Sequence, residues 1–372
     1  MSLEIYTPGK GEKKGCQNDT SNSAGKARCQ NDILKTAGQK PVKVSVANIL
    51  KLESANQTMA KALQSRVALQ IAGPLVMEGE HTLLFADTNL GKSIFATQIA
   101  LAAASGNNCL PDLVNETGPK KVLYLDFELG PQQWGKRYAN FDGKRLVDPF
   151  QWPDGFIRAE IDPKNLPPGD LGEYVLRGIE EQVAAEGFEF VIVDNITWLS
   201  DDTENGDAAG ALMKRFWMLV RELKIGMLTL AHTPKIPPYS PVTINHLAGS
   251  KKLANFADAV FTLGRDWSSP DRQVYAKQLK VRSAGAVEYG SDNVMVLERT
   301  KPNNFLGFER RHFANEEDLC RRMNEREREE QNNELRKRIK DYRQKNPGVG
   351  LRKIAKALGT NHMRIKRVEA GV

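Results

Sequence analysis

Leu83-Leu84-Phe85-Ala86-Asp87-Thr88-Asn89-Leu90-Gly91-Lys92-Ser93 carries a short apolar strand into a tight loop, and the Ala-rich run Ile94 to Ala104 that follows reads as a helix. The loop has the form A-x-x-x-x-G-K-S, a phosphate-binding loop with Ala86 in place of the first glycine. In such a loop the backbone N–H groups of Asp87, Thr88, Asn89, Leu90 and Gly91, at a helix N-terminus, point at the β- and γ-phosphates. Lys92 is expected to neutralise phosphate charge and the Ser93 hydroxyl to ligate Mg²⁺, while Gly91 lets the backbone come close. The strand before the loop and the helix after it are the context the motif requires, so the sequence predicts binding of ATP with Mg²⁺.

The chain has 372 residues, enough for one large domain with smaller appendages. No apolar run approaches the roughly 20 residues needed to cross a bilayer. The start, MSLEIYTPGKGEKKG, lacks a signal-peptide apolar core, and Cys16, Cys29, Cys109 and Cys320 share no metal-ligand spacing. Reduced thiols and a cytoplasmic location are expected. Charge is unevenly placed. From Gln331 to Val372 there are 12 Lys/Arg and 3 Asp/Glu, a net of +9 against +7 for the whole chain, which leaves −2 for the remainder. A basic module on a near-neutral body suggests a nucleic-acid partner; a solvated basic helix would give the same count.

Composition divides the chain into a polar leader expected to be disordered (1–45), a segment with helical spacing of Ile49, Leu50, Leu52, Met59 and Leu63 (46–69), an α/β region (70–315), a charged helical linker (316–332) and a C-terminal module (333–372). Within the α/β region several strands end in candidate chemistry. Val122-Leu123-Tyr124-Leu125-Asp126-Phe127-Glu128 ends in two carboxylates, and Glu128 is placed to activate water, because functional groups of open parallel sheets gather at strand C-termini. A capping or surface carboxylate is the plainer alternative. Phe190-Val191-Ile192-Val193-Asp194 has the Walker B pattern, whose Asp holds Mg²⁺ through water. Gly226 to Ala231 ends at His232, which could sense the γ-phosphate and relay its presence to the long Pro-rich segment Thr233 to Lys252. Tyr275 to Arg282 alternates, with Lys280 and Arg282 on one face; they read either as a solvated edge or as cations reaching a neighbouring subunit's γ-phosphate.

The order of these motifs resembles the RecA-like ATPases, especially the hexameric helicase branch with DnaB-type and plasmid RepA-type proteins. The resemblance spans roughly residues 70–300. It rests on ADTNLGKS, VLYLDFE and FVIVDN, with LTLAHTPK and LKVR as looser matches. DDTENGDAAGALMKRFWMLVRELKIGMLTLAHTPK and LAGSKKLANFADAVFTLGR look very like the RepA-type subgroup, whose members also occur on mobilizable elements beside primase-like and mobilization proteins. The likeness implies a Glu128 base, an Asp194 metal site, a His232 sensor and Lys280 and Arg282 acting in trans, hence a homo-oligomeric ring such as a hexamer. KaiC-like and RadA-like relatives show that the same core need not be a helicase. The acidic stretch Asp201 to Asp207 is unlike a strand-gripping loop, so channel contacts with DNA fall to Lys235, Lys251 and Lys252.

The C-terminal module reads as three helices. Leu335, Ile339 and Tyr342 share a face; Leu351, Ile354, Ala355 and Leu358 form a second helix ended by Gly359; Asn361 caps a third that turns Ile365 and Val368 inward. Small Ala355 and the Gly359 turn match helix-turn-helix spacing. The outer face would offer His362, Met363, Arg364, Lys366 and Arg367 to duplex DNA, together with Arg352 and Lys353. A helical hairpin for protein docking is the alternative. Two functions follow from the sequence: a ring-forming Mg²⁺-dependent ATPase acting on DNA in replication or mobilization of a plasmid or mobile element, or an ATP-switched DNA-binding regulator or partition-like protein without unwinding activity.

Overall fold

The central strands are buried along nearly their whole length because both faces of their sheet are covered. In the computed structural model, which describes residues 50–165, 169–199, 206–247, 251–269, 273–283, 285–321 and 325–370, the chain divides into two units at Val67/Ala68. The first contains helix α1 (Ala55–Gln64), shorter than the 46–69 segment that the spacing suggests. It starts where Ser54 and Gln57 close a capping box, the Ser54 hydroxyl accepting from the Gln57 N–H at 3.2 Å and the Gln57 side chain from the Ser54 N–H at 2.9 Å.

The second unit begins with a hairpin, β1 (Gln70–Ala72) and β2 (Val76–Met77), and then enters the phosphate-loop strand β3 (His81–Ala86) and helix α2 (Lys92–Ser105). There follow β4 (Val122–Asp126), α3 (Pro131–Tyr138), the small hairpin β5 (Asn140–Phe141) and β6 (Leu146–Val147), β7 (Phe156–Ala159), α4 (Leu171–Glu186), β8 (Phe190–Asp194), α5 (Gly206–Leu223) and β9 (Gly226–His232). The chain continues through α6 (Lys251–Phe256), β10 (Ala259–Arg265), β11 (Gln273–Val281), β12 (Val294–Thr300) and β13 (Gly307–Ala314) to α7 (Glu316–Cys320) and the helices α8 (Glu325–Lys345), α9 (Leu351–Leu358) and α10 (His362–Ala370).

Nine strands form one sheet in the order β13-β12-β11-β10-β3-β9-β8-β4-β7, and the six from β10 to β7 are parallel. This is an α/β fold with a mostly parallel sheet, the fold class that the alternating pattern of the sequence implies. Alternate residues serve opposite layers: Leu84 and Ala86 join the core under α2, and Leu83 and Phe85 the core under α5. The register places Ala86 beside His232 and Asp126 beside Asp194, so the ends of β3, β9, β8 and β4 lie along one edge.

The α/β unit extends past residue 315. Glu316, 1% exposed, accepts from the Tyr275 hydroxyl at 2.8 Å and the Val242 N–H at 2.9 Å, and pairs with the Lys277 ammonium, which also donates to the Val242 carbonyl at 3.0 Å. Helix α8 then runs unbroken across the boundary at 332, because Glu325 to Lys345 holds no Gly or Pro and is rich in Glu, Arg and Lys. Helices α8, α9 and α10 share a small core of their own from Leu335, Ile339, Ile354, Ala355, Ile365 and Val368. Gly359 turns with φ 72°, and the Asn361 side chain accepts from the Arg364 N–H at 2.7 Å. Among the described residues no helix is long and apolar enough to cross a membrane.

Candidate functional site

The loop between β3 and α2 is built to leave donors free. Gly91 holds φ 95°, where a side chain is strained, and a Cβ there would lie 2.7 Å from the Phe308 ring and 3.2 Å from the Arg299 guanidinium. No side chain caps α2, so its first N–H groups have no intrahelical partner and face the cradle. Lys92 folds back over the loop: its ammonium donates to the Ala86 carbonyl at 2.9 Å, the Asp87 carbonyl at 3.4 Å and His232 Nδ1 at 3.2 Å. Burial pulls the Lys92 ammonium below its ordinary value, against the opposing pull of Asp194, Glu128 and Asp87.

A Lys ammonium only donates, so in that contact His232 Nδ1 accepts. The other ring nitrogen, Nε2, lies 2.9 Å from the Asn195 amide nitrogen and 3.2 Å from Glu128 Oε1. The Asn195 amide, oriented by the Thr197 N–H on its oxygen at 2.9 Å, donates to the same Glu128 oxygen. The hydrogen bond from His232 holds the Glu128 carboxyl below the usual range, aided by the Lys92 charge and Asn195 and opposed by desolvation. Both bonds fall on Oε1, and the Glu128 side chain is 33% exposed.

Asp194 stands below this group, 2% exposed, and accepts from the Tyr124 hydroxyl at 2.7 Å. Burial pushes its carboxyl up to about 6, against hydrogen bonds from Tyr124 and Ser93. A buried carboxylate with so little compensation suits a cation. The donor set of Asp194 and the Ser93 hydroxyl is what an oxygen-liking divalent ion takes when phosphates and water complete its shell. Among the described residues no cluster of three or more His, Cys, Asp or Glu is placed to hold a metal ion.

Several further side chains surround these groups. Asp126, next to Glu128 at the end of β4, accepts from the Glu128 N–H at 3.1 Å and the Leu129 N–H at 2.9 Å, and its other oxygen pairs with Arg158 at 2.9 Å. Arg299, from β12, donates to the Asn89 carbonyl of the loop at 3.1 Å. Burial and the nearby Arg137 charge lower the Arg299 guanidinium, and Arg137 Nη1 is buried without a hydrogen-bond partner among the described residues. Asn195 and Tyr124 sit within motifs the sequence singles out, whereas Arg158 and Arg299 reach the site only through sheet pairing.

Lys280 and Arg282 are not brought to this loop. β11 runs antiparallel to β10, so Lys280 is level with Val260 and Leu83, and Arg282 lies further toward the opposite sheet edge, about 17 Å along the strands from Ala86 at ~3.3 Å per residue. Lys280 donates to the Ala254 and Ala257 carbonyls, both at 2.7 Å, and Arg282 to Asp258 at 2.8 Å. Lys235 is exposed three residues beyond His232. Lys251 and Lys252 start α6, but their side chains, like residues Asp201 to Asn205 of the acidic stretch, lie outside the described residues. In the C-terminal helices Arg352, Lys353, His362, Met363, Lys366 and Arg367 are exposed and Arg364 is half-buried.

A phosphate loop, a carboxylate at the end of each of two neighbouring strands and a histidine on the strand between the loop strand and that of Asp194 define a P-loop nucleotide-hydrolase core. The chain belongs to the AAA domain family AAA_25, whose model matches residues 48–237, just over half of its length. Its structure is also similar to that of a KaiC-like protein from the hyperthermophilic archaeon Pyrococcus horikoshii OT3, at 16% identity and a TM-score of 0.43, over 66% of this chain and 98% of that one. Among curated proteins none matches the sequence.

Proposed function

We propose that this protein is a Mg²⁺-dependent ATPase that acts on DNA, as a RepA-like replicative helicase or ATPase in replication or mobilization of a plasmid or mobile element. The observation that carries the ATPase half is the unbroken chain of contacts Lys92–His232–Glu128–Asn195 beside Asp194, all at one sheet edge. The loop N–H groups of Asp87 to Gly91 bind the phosphates, and Lys92 leaves His232 to meet the γ-phosphate. Glu128, kept ionised by its neighbours, takes the proton of the attacking water on Oε2. Ser93 and Asp194 would hold a Mg²⁺ ion, which would supply neutralisation of phosphate charge. When Lys92 turns to the phosphate, His232 loses a hydrogen-bond partner, and the loop that follows it registers whether the phosphate is present.

The DNA half rests on the +9 charge of residues 331–372 and on their compact three-helix core, which sets Lys366 and Arg367 on the exposed side of α10. Lys280 and Arg282 lie too far from their own loop to serve it, so a role in hydrolysis places them at a neighbour's site in a homo-oligomeric ring. One observation favours the second reading, an ATP-switched DNA-binding regulator: both cations are engaged by Asp258 and the end of α6 in their own chain. Strand displacement on forked DNA separates the two. ATP-dependent unwinding lost in Lys92→Ala and Arg282→Ala supports the helicase. Duplex binding with hydrolysis but no unwinding supports the switch.

A further inference from the structure

We infer that Arg158, working through Asp126, is a positioning residue for Glu128. The inference rests on the reading of Glu128 as the general base. Glu128 lies two residues beyond the end of β4, on a turn, and a base must stand within hydrogen-bond reach of its water. Asp126 binds that turn from inside. One of its oxygens receives the N–H groups of Glu128 and Leu129, at 3.1 and 2.9 Å, so the backbone carrying the base is tied to a carboxylate that is itself 2% exposed.

Arg158 closes the arrangement. It is the cross-strand neighbour of Tyr124 on the edge strand β7. Its Nε and Nη2 grip the second Asp126 oxygen at 3.0 and 2.9 Å, Nη2 also donates to the Leu129 carbonyl, and the guanidinium lies 4.9 Å from the Trp134 ring centroid of α3. Asp126 and Arg158 thereby hold both the N–H and the carbonyl of Leu129, so the turn cannot rotate without breaking charge-assisted bonds. A lysine would keep the charge but lose the fork that engages carboxylate and carbonyl together.

The test uses the full chain and steady-state ATP hydrolysis with Mg²⁺, with unfolding midpoints recorded for each variant. Arg158→Met is expected to lower kcat by about 100-fold, the scale of a misplaced catalytic group, and to leave KM and the Kd of a fluorescent ATP analogue within about twofold. Arg158→Lys is expected to recover only part of the loss. In a Glu128→Gln background, Arg158→Met is expected to cause no further loss, because the residue acts only through that carboxylate. An unchanged kcat in Arg158→Met, or an equal loss in both backgrounds, overturns the positioning role. Undiminished hydrolysis by Glu128→Gln alone overturns instead the reading of Glu128 as base. If Arg158→Met fails to fold, Arg158→Lys in the two backgrounds carries the same comparison.

Discussion

Replacing Asp194 by Asn should make the nucleotide-free protein more stable while abolishing its Mg²⁺-dependent chemistry. Burial lifts the Asp194 carboxyl from 3.8 to about 6, so the folded protein holds this proton more tightly than the unfolded chain. Stability is therefore lost as pH rises from about 4 to about 6, and the full penalty, roughly 3 kcal/mol for a carboxyl lifted that far, applies above that window. Asparagine carries no charge, its oxygen can still accept from the Tyr124 hydroxyl, and its amide can donate to Ser93. Imperfect geometry takes back part of the gain, leaving about 1–3 kcal/mol at neutral pH, read as a higher unfolding midpoint by about 2–4 °C per kcal/mol. The assay is thermal unfolding of the full chain without nucleotide or Mg²⁺, at about pH 7.5 and about pH 5. The difference between wild type and Asp194→Asn should be largest at the higher pH and shrink at the lower. An Asn variant no more stable than wild type at neutral pH, or a difference independent of pH, refutes a burial penalty at Asp194. The same linkage predicts that affinity for Mg²⁺–ATP falls as pH drops below about 6, measurable by isothermal titration in two buffers of different ionisation enthalpy.

Gly91→Ala should fold but bind ATP at least about 10-fold more weakly, since φ 95° costs an alanine about 1–3 kcal/mol and its Cβ meets the Phe308 ring; fluorescent-nucleotide titration checks it. Glu316→Ala leaves Lys277 buried without its anion and should destabilise the α/β unit by about 3–5 kcal/mol in urea unfolding, whereas Glu316→Gln, which keeps an acceptor, should cost less. Neutralising Lys366 and Arg367 together should leave ATP hydrolysis without DNA unchanged. It should weaken duplex binding and flatten the salt dependence of affinity by about 0.9 per lost phosphate contact, as fluorescence anisotropy would show.

The parts of the site that sequence makes legible are those whose chemistry is local. The phosphate loop announces itself because strand, loop and helix are consecutive, and Asp194 because a fully buried parallel strand must be apolar up to the residue where it meets the site. Glu128 and His232 follow from the same rule, and the apolar spacing from Leu335 to Val368 is enough to show three helices sharing a core. Contacts that depend on sheet order are not legible. Arg158 reaches Asp126 because β7 pairs with β4, and Arg299 reaches Asn89 across 210 positions of sequence because β12 pairs with β13, which packs on the loop helix. Periodicity gives strands, not their neighbours. The same limit hides the engagement of Arg282 by Asp258, since an alternating strand shows a face but not what covers it. Buried Glu316 is missed for another reason: in a run of charged residues, nothing local marks the one that turns inward to Lys277.

A DNA-directed ATPase is tested most closely by the steady-state rate of ATP hydrolysis by the full chain with Mg²⁺, in the presence and absence of forked DNA. Mg²⁺-dependent hydrolysis is expected, accelerated by DNA and abolished in Lys92→Ala. A chain that binds ATP but does not hydrolyse it, or hydrolyses it at a rate indifferent to DNA, contradicts the proposed function.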